Sequence, residues 1–138
     1  MVSRKSFLKN TSLACLGLAG IAGLSSCATV AVLDATVTDK KITVPLAQMM
    51  DKQVLKLRAK GLQYDVLLIK KTDGSFYSLL MKCTHNDASV LFDGTNFQCP
   101  LHGSTFNKTG KVTNGPATLP MLSLETILVN DIITIKIV

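Results

Sequence analysis

The chain has 138 residues, of which 15 are basic, 9 are acidic and 47% are hydrophobic. This length accommodates one domain, and the apolar content, with only 17% charged residues, excludes an intrinsically disordered protein. The net charge of +6 divides equally, because residues 1–26 carry three basic side chains and no acid, while the rest carry 12 basic and 9 acidic side chains. An excess of +3 without a cluster of lysines or arginines does not indicate a nucleic-acid partner.

The first 26 residues have the pattern of an export signal peptide. Arg4, Lys5 and Lys9 form a positive segment, and the apolar stretch that follows, 13–24, is rich in glycine and alanine. The stretch 24–27, Leu-Ser-Ser-Cys, resembles the bacterial lipobox. This resemblance implies cleavage before Cys27, lipidation of the Cys27 thiol, and a tether over residues 27–39.

The export route and the type of anchor have alternatives. Residues 3–9 resemble the twin-arginine export motif, but Lys5 replaces the second arginine, which leaves the Sec route open. Residues 10–33 carry no charge, and this run of 24 residues exceeds the roughly 20 that a spanning helix needs, so an uncleaved anchor is the alternative to lipidation. Both predict a domain anchored to a membrane of a bacterial envelope, on the periplasmic side.

After the signal, apolar residues recur with a period of two, which is typical of strands. The predicted strands cover residues 31–37, 41–46, 54–58, 64–70, 75–81, 90–92, 96–98, 122–129 and 132–138. Asp-Gly pairs at 73–74 and 93–94 and the Asn-Asp pair at 130–131 predict hairpin turns, and 46–54 is the one candidate helix. The pattern therefore predicts an all-β sandwich or small barrel.

Both histidines and two of the four cysteines fall within 20 residues. One residue separates Cys83 from His85, and two residues separate Cys99 from His102. A disulfide between the cysteines would leave the histidines unexplained, and a C-x-H spacing is unusual for structural zinc. In the third interpretation, a [2Fe–2S] centre, one iron takes two thiolates and the other takes two imidazoles. The spacing favours this third interpretation.

Residues from about 40 to 138 resemble the Rieske [2Fe–2S] family. The stretch 83–85 matches the first cluster-binding loop of the family and the stretch 99–104 matches the second. Gly115, Pro116 and Ala117 are similar to the family's proline loop, which shields the cluster. The resemblance implies a sandwich of small antiparallel sheets, with the cluster at the tip of a hairpin-built subdomain. The implied ligands are Cys83, His85, Cys99 and His102.

The sequence departs from the family pattern at informative positions. Ala88 and Leu101 occupy the positions where Rieske proteins of cytochrome bc complexes carry disulfide cysteines, so the loops should depend on the cluster and on packing. Ser104 matches a serine that donates a hydrogen bond to a cluster sulfur, whereas Phe106 replaces a donor tyrosine. Because such donors stabilise the reduced cluster, we expect a potential between the quinol-oxidising type and the ferredoxin type.

These features predict a one-electron carrier, an electron-transfer subunit of a respiratory or periplasmic oxidoreductase. Its donor would be a quinol or a partner enzyme, and its acceptor a cytochrome. Exposed imidazoles at His85 and His102 could take up protons on reduction, as quinol oxidation requires. Since the cluster uses both histidines, none remains for the mononuclear iron of an oxygenase. The alternatives are a ferredoxin-like donor to an oxygenase and a structural zinc-binding lipoprotein.

Overall fold

The computed structural model describes residues 30–138, so the predictions for the export signal and for Cys27 lie outside the described residues. Within this range the chain forms twelve strands and one short 3-10 helix, Leu46–Met49. None of the helical structure in this range is long and apolar enough to cross a membrane. The strands are β1 (Val32–Thr36), β2 (Lys41–Pro45), β3 (Val54–Lys60), β4 (Val66–Lys70), β5 (Phe76–Leu80), β6 (Leu91–Phe92), β7 (Asn96–Gln98), β8 (Thr105–Asn107), β9 (Val112–Asn114), β10 (Ser123–Leu124), β11 (Thr126–Val129) and β12 (Ile132–Lys136).

The strands form three sheets. The strand order is β1-β3-β4-β5-β10 in the five-stranded sheet, β11-β12-β2 in the three-stranded sheet and β6-β7-β8-β9 in the four-stranded sheet. All pairs are antiparallel except β1 and β3, which run parallel with Val32 opposite Lys56. The predicted all-β class is confirmed. Residues 32–36 of the expected tether over 27–39 form β1 and pair with β3.

The five-stranded sheet lies between the other two sheets and packs one apolar core against each. Residues of β4 alternate between the cores: Val66 and Leu68 join the core shared with the three-stranded sheet, and Leu67 and Ile69 join the core shared with the four-stranded sheet. This explains why four consecutive apolar residues of β4 are buried, since a strand covered on both faces needs no polar side. The second core also contains Cys83 and Cys99.

The predicted hairpin turns are present. Gly74 and Gly94 have φ values of 84° and 103°, which glycine adopts without the steric cost that a Cβ imposes. Asn130 and Asp131 both have positive φ, at 48° and 61°, as a type I′ turn between β11 and β12 requires.

Three regions of the chain differ from the sequence prediction. Strands β8 and β9 were not predicted, because each has only three residues and such a short segment shows no clear alternation. The single strand expected over 122–129 is divided at Glu125, where the chain passes from the five-stranded sheet to the three-stranded sheet. The candidate helix over 46–54 is shorter than expected and ends at Met49, which is buried in the first core.

Candidate metal centre

Two loops, each closed by an equivalent backbone hydrogen bond, carry the four predicted ligands. The first loop joins β5 to β6, and the Cys83 N–H donates to the Ala88 carbonyl oxygen at 2.8 Å. The second loop joins β7 to β8, and the Cys99 N–H donates to the Ser104 carbonyl oxygen at 2.8 Å. In each loop the cysteine N–H therefore bonds to the carbonyl five positions later, and the histidine lies within the closed turn.

The four side chains divide into a buried pair and an exposed pair. Cys83 and Cys99 are each 1% exposed and both are free thiols. His85 and His102 are exposed, and their ring centroids lie 4.9 Å apart at an interplanar angle of 83°. Over residues 30–138, no three Cys, His, Asp or Glu side chains gather closely enough to hold a single metal ion.

Hydrogen-bond donors near its sulfur lower the pKa of the Cys83 thiol. Burial raises the pKa of the Cys83 thiol, but the N–H groups of His85 and Asn86, with Cys99 and Ser104, more than offset this and hold the pKa below its ordinary value. Since the thiolate is the form that binds iron, these donors prepare the sulfur for a metal.

Ser104 connects the second loop with the proline loop. Its side chain is fully buried, and its hydroxyl oxygen accepts a hydrogen bond from the Ala117 N–H at 3.0 Å. The same hydroxyl lies within hydrogen-bonding reach of the Cys83 sulfur. Accepting from an amide leaves the hydroxyl proton available for a sulfur, so the redox-tuning role of Ser104 stays a prediction.

The proline-loop segment, residues 114–119, contains the proline loop at 115–117 and contacts both ligand loops. The Asn114 amide donates to the Gly103 carbonyl oxygen at 3.4 Å, which links this segment to the second loop. The Thr84 hydroxyl donates to the Leu119 carbonyl oxygen, which links it to the first loop. The sequence reasoning missed Thr84 and Asn114, although Thr84 stands inside the C-x-H motif.

The two positions at which Rieske proteins of cytochrome bc complexes carry disulfide cysteines have different surroundings in this chain. Ala88 packs against the second core, whereas Leu101 is 53% exposed. Phe106, at the expected tyrosine position, is fully buried and lies opposite Phe97 on the paired strand β7. In the described residues, hydrogen bonds to the proline-loop segment connect the two ligand loops where no disulfide is present.

The site has two buried thiols and two exposed imidazoles on adjacent loops. This set of ligands is that of an iron–sulfur protein with mixed cysteine and histidine ligation. The donor set fits a two-iron cluster, since each iron can take one like pair. The family model described as "Rieske [2Fe-2S] domain" matches residues 40–128. The chain therefore belongs to the Rieske [2Fe–2S] family and takes a Rieske-type [2Fe–2S] cluster.

Similar proteins agree with this assignment. Iron-sulfur subunit 1 of the cytochrome b6-f complex of Synechocystis is 40% identical over 73 residues, which are 50% of this chain and 41% of the relative. Subunit 2 of the same organism is 31% identical over 103 residues, 71% of this chain and 56% of the relative. The chain thus spans about half of these relatives or less.

A solved structure supports the same fold. The plasma-membrane Rieske protein PetC3 of Synechocystis PCC 6803 is 28% identical, with a TM-score of 0.54. The match covers 67% of this chain and 94% of that protein. A chain from the complex of oxygenase and ferredoxin in carbazole 1,9a-dioxygenase, at 24% identity and a TM-score of 0.51, shares the fold.

Proposed function

We propose that the protein is a membrane-tethered one-electron carrier, the electron-transfer subunit of a respiratory or periplasmic oxidoreductase. Cys83 and Cys99 would hold one iron of the cluster, and His85 and His102 would hold the other. When bound, the cluster supplies one-electron exchange. Lipidation of Cys27 or an uncleaved N-terminal anchor would tether the domain on the periplasmic side.

The observation that carries this proposal is the unequal exposure of the two ligand pairs. The thiols are buried in the second core, which keeps water from the sulfur side, while both imidazoles are open to a partner. An electron can therefore enter and leave at the imidazoles. The donor would be a quinol or a catalytic partner subunit, and the acceptor a cytochrome.

Electron paramagnetic resonance of the reduced full chain tests the cluster assignment. We expect a Rieske-type signal that His85→Ser abolishes or changes, because the substitution removes one imidazole. Asp87→Ser is the matched control, since Asp87 lies in the same loop, is exposed and forms an ion pair with Lys82 at 2.6 Å. An unchanged signal in His85→Ser would contradict the ligand assignment.

A redox titration tests the function class. With the Ser104 hydroxyl as a donor and Phe106 unable to donate, we expect a potential between those of the quinol-oxidising and ferredoxin types. A potential as high as that of proteins with both donors would contradict this expectation.

A further inference from the structure

Asn114, at the start of the proline-loop segment, is the one asparagine of the chain that glycine follows. Glycine has no Cβ and its backbone rotates freely, so its amide nitrogen can approach the preceding side chain. An Asn-Gly pair is for this reason prone to lose the side-chain amide. Every other asparagine precedes a residue with a side chain; these are Asn10, Asn86, Asn96, Asn107 and Asn130.

The backbone nitrogen of Gly115 is accessible and uncrowded. Strand β9 ends at Asn114, and within residues 30–138 the Gly115 N–H donates to no backbone oxygen. Asn114 and Gly115 are both exposed. Apart from the adjoining residues, the atoms nearest to a Cβ at position 115 would be the N and O of Ala117, each at 4.0 Å. Solvent can therefore reach this peptide, and no neighbouring atom blocks an approach to it.

The Asn114 side chain is turned toward the Gly115 peptide. Its Nδ2 donates to the Gly115 carbonyl oxygen at 3.1 Å, and more weakly to the Gly103 carbonyl oxygen at 3.4 Å. The bond to Gly115 keeps the side-chain amide next to the residue whose nitrogen would attack it. The bond to Gly103 makes the same amide a link between the proline-loop segment and the second ligand loop.

Asn107, in the turn between β8 and β9, has the opposite arrangement. Its Oδ1 accepts hydrogen bonds from the N–H and hydroxyl of Thr109 at 3.0 and 2.8 Å, and from the Lys111 N–H at 3.0 Å. These bonds direct the amide across the turn, and the residue that follows is Lys108 rather than a glycine. Asn107 is therefore an internal reference for an asparagine that the fold protects.

We propose that Asn114 is a site of spontaneous deamidation and that the reaction shortens the lifetime of the cluster in the protein. The Gly115 nitrogen loses its proton to solvent and attacks Asn114 Cγ, which forms a C–N bond and closes a succinimide ring. The bond from Cγ to Nδ2 breaks, and Nδ2 takes a proton from solvent and leaves as ammonia. Water then opens the ring at either carbonyl, which gives aspartate or isoaspartate at position 114.

Neither product can keep the contact with the second ligand loop. An ionised carboxylate only accepts hydrogen bonds, so an anionic oxygen replaces the donor beside the Gly103 and Gly115 carbonyl oxygens. Isoaspartate also lengthens the main chain just before the proline loop. Because Gly103 directly follows the ligand His102, the loop that holds this ligand then depends on the remaining hydrogen bond between Ser104 and Ala117.

Ageing of the cluster-loaded full chain tests the modification itself. The protein is incubated for days at mildly alkaline pH, and peptide mass spectrometry follows the amide of each asparagine. We expect Asn114 to deamidate roughly tenfold faster than Asn107. Gly115→Ala should slow the reaction at Asn114, since a methyl group then crowds the attacking nitrogen. Gly115 is not among the glycines with positive φ, so alanine fits its backbone conformation.

The effect on the cluster is measured in the same aged sample. Anion-exchange chromatography separates the deamidated protein by its additional negative charge, and visible absorbance per protein reports the cluster that remains. We expect roughly two- to fivefold less cluster in the deamidated fraction. The variant Asn114→Asp should lose its absorbance sooner by a similar factor. The control Asn130→Asp adds the same charge in the turn between β11 and β12, and should retain the cluster as the native chain does.

Each other outcome contradicts the proposal. Equal rates of deamidation at Asn114 and Asn107 would overturn the modification site. Faster reaction at Asn114 with equal cluster content in the two fractions would overturn the effect on the cluster, and these fractions decide this even if Asn114→Asp does not fold. Equally early loss of the cluster in Asn130→Asp would assign the effect to the added charge and would overturn the role of the contact with Gly103.

Discussion

The buried Ser104 hydroxyl lies between two groups of the site, the Ala117 N–H and the Cys83 sulfur. We predict that Ser104→Ala lowers the reduction potential by roughly 60 mV or more, since a hydrogen bond to a charged group contributes about 1.5–3 kcal/mol. The measurement is a redox titration of the full chain. Ser123→Ala is the control, because its hydroxyl contacts the Ser78 carbonyl oxygen on β5. An unchanged reduction potential in Ser104→Ala would show that the Ser104 hydroxyl contacts Ala117 but does not tune the cluster.

Thr84 is the residue that links the first ligand loop to the proline-loop segment. Thr84→Val keeps the shape of the side chain and removes its hydrogen bond to the Leu119 carbonyl. We predict a loss of about 1 kcal/mol in the free energy of unfolding and faster loss of the visible absorbance of the cluster. Thr95→Val, on the exposed turn between β6 and β7, should change neither quantity. Equal behaviour of the two variants would show that the Thr84 contact does not hold the loop.

At the scale of elements, the turn between β8 and β9 packs the four-stranded sheet onto the central sheet. A Cβ on Gly110 would lie 3.1 Å from Leu79 Cδ2 and 3.3 Å from Met121 Cβ, and Gly110 has a φ of 82°. Gly94, in the turn between β6 and β7, also has positive φ, but a Cβ there would meet nothing within 4 Å. Alanine substitutions at these two glycines therefore distinguish the energetic cost of backbone strain from the cost of crowding in the core.

We predict that Gly94→Ala costs about 1–2 kcal/mol of unfolding free energy from backbone strain alone. Gly110→Ala should cost that amount and roughly 1 kcal/mol more, because Leu79 and Met121 must move. Urea unfolding of both variants measures the difference. If the two variants lose the same stability, the contact of the β8–β9 turn with β5 is loose.

At the scale of the whole molecule, the two cores should respond differently to loss of the cluster. Among residues 30–138, the core under the four-stranded sheet contains Cys83 and Cys99, and the core under the three-stranded sheet contains no cysteine. We predict that removal of iron by a chelator increases amide exchange in β6 to β9 but leaves β2 and β12 protected. Hydrogen exchange with mass spectrometry measures this. Uniform loss of protection would indicate that both cores unfold as one unit.

Both the fold class and the set of candidate ligands could be predicted from the sequence. Long strands such as β4 and β12 have enough apolar residues to be recognised, whereas β8 and β9 do not. Contacts that cross the molecule have no local signal: Ser104 meets Ala117 over 13 positions, and Thr84 meets Leu119 over 35.

The parallel pairing of β1 with β3 also determines how the domain resists force. A load applied to the chain at Val30, directed along the strand axis, pulls β1 lengthwise past β3. The hydrogen bonds along the pair, from Val32 opposite Lys56 to Thr36 opposite Lys60, then share the load instead of opening one after another. Shear of this kind opposes detachment of the first strand, so we expect the domain to remain folded while its N-terminal end is pulled.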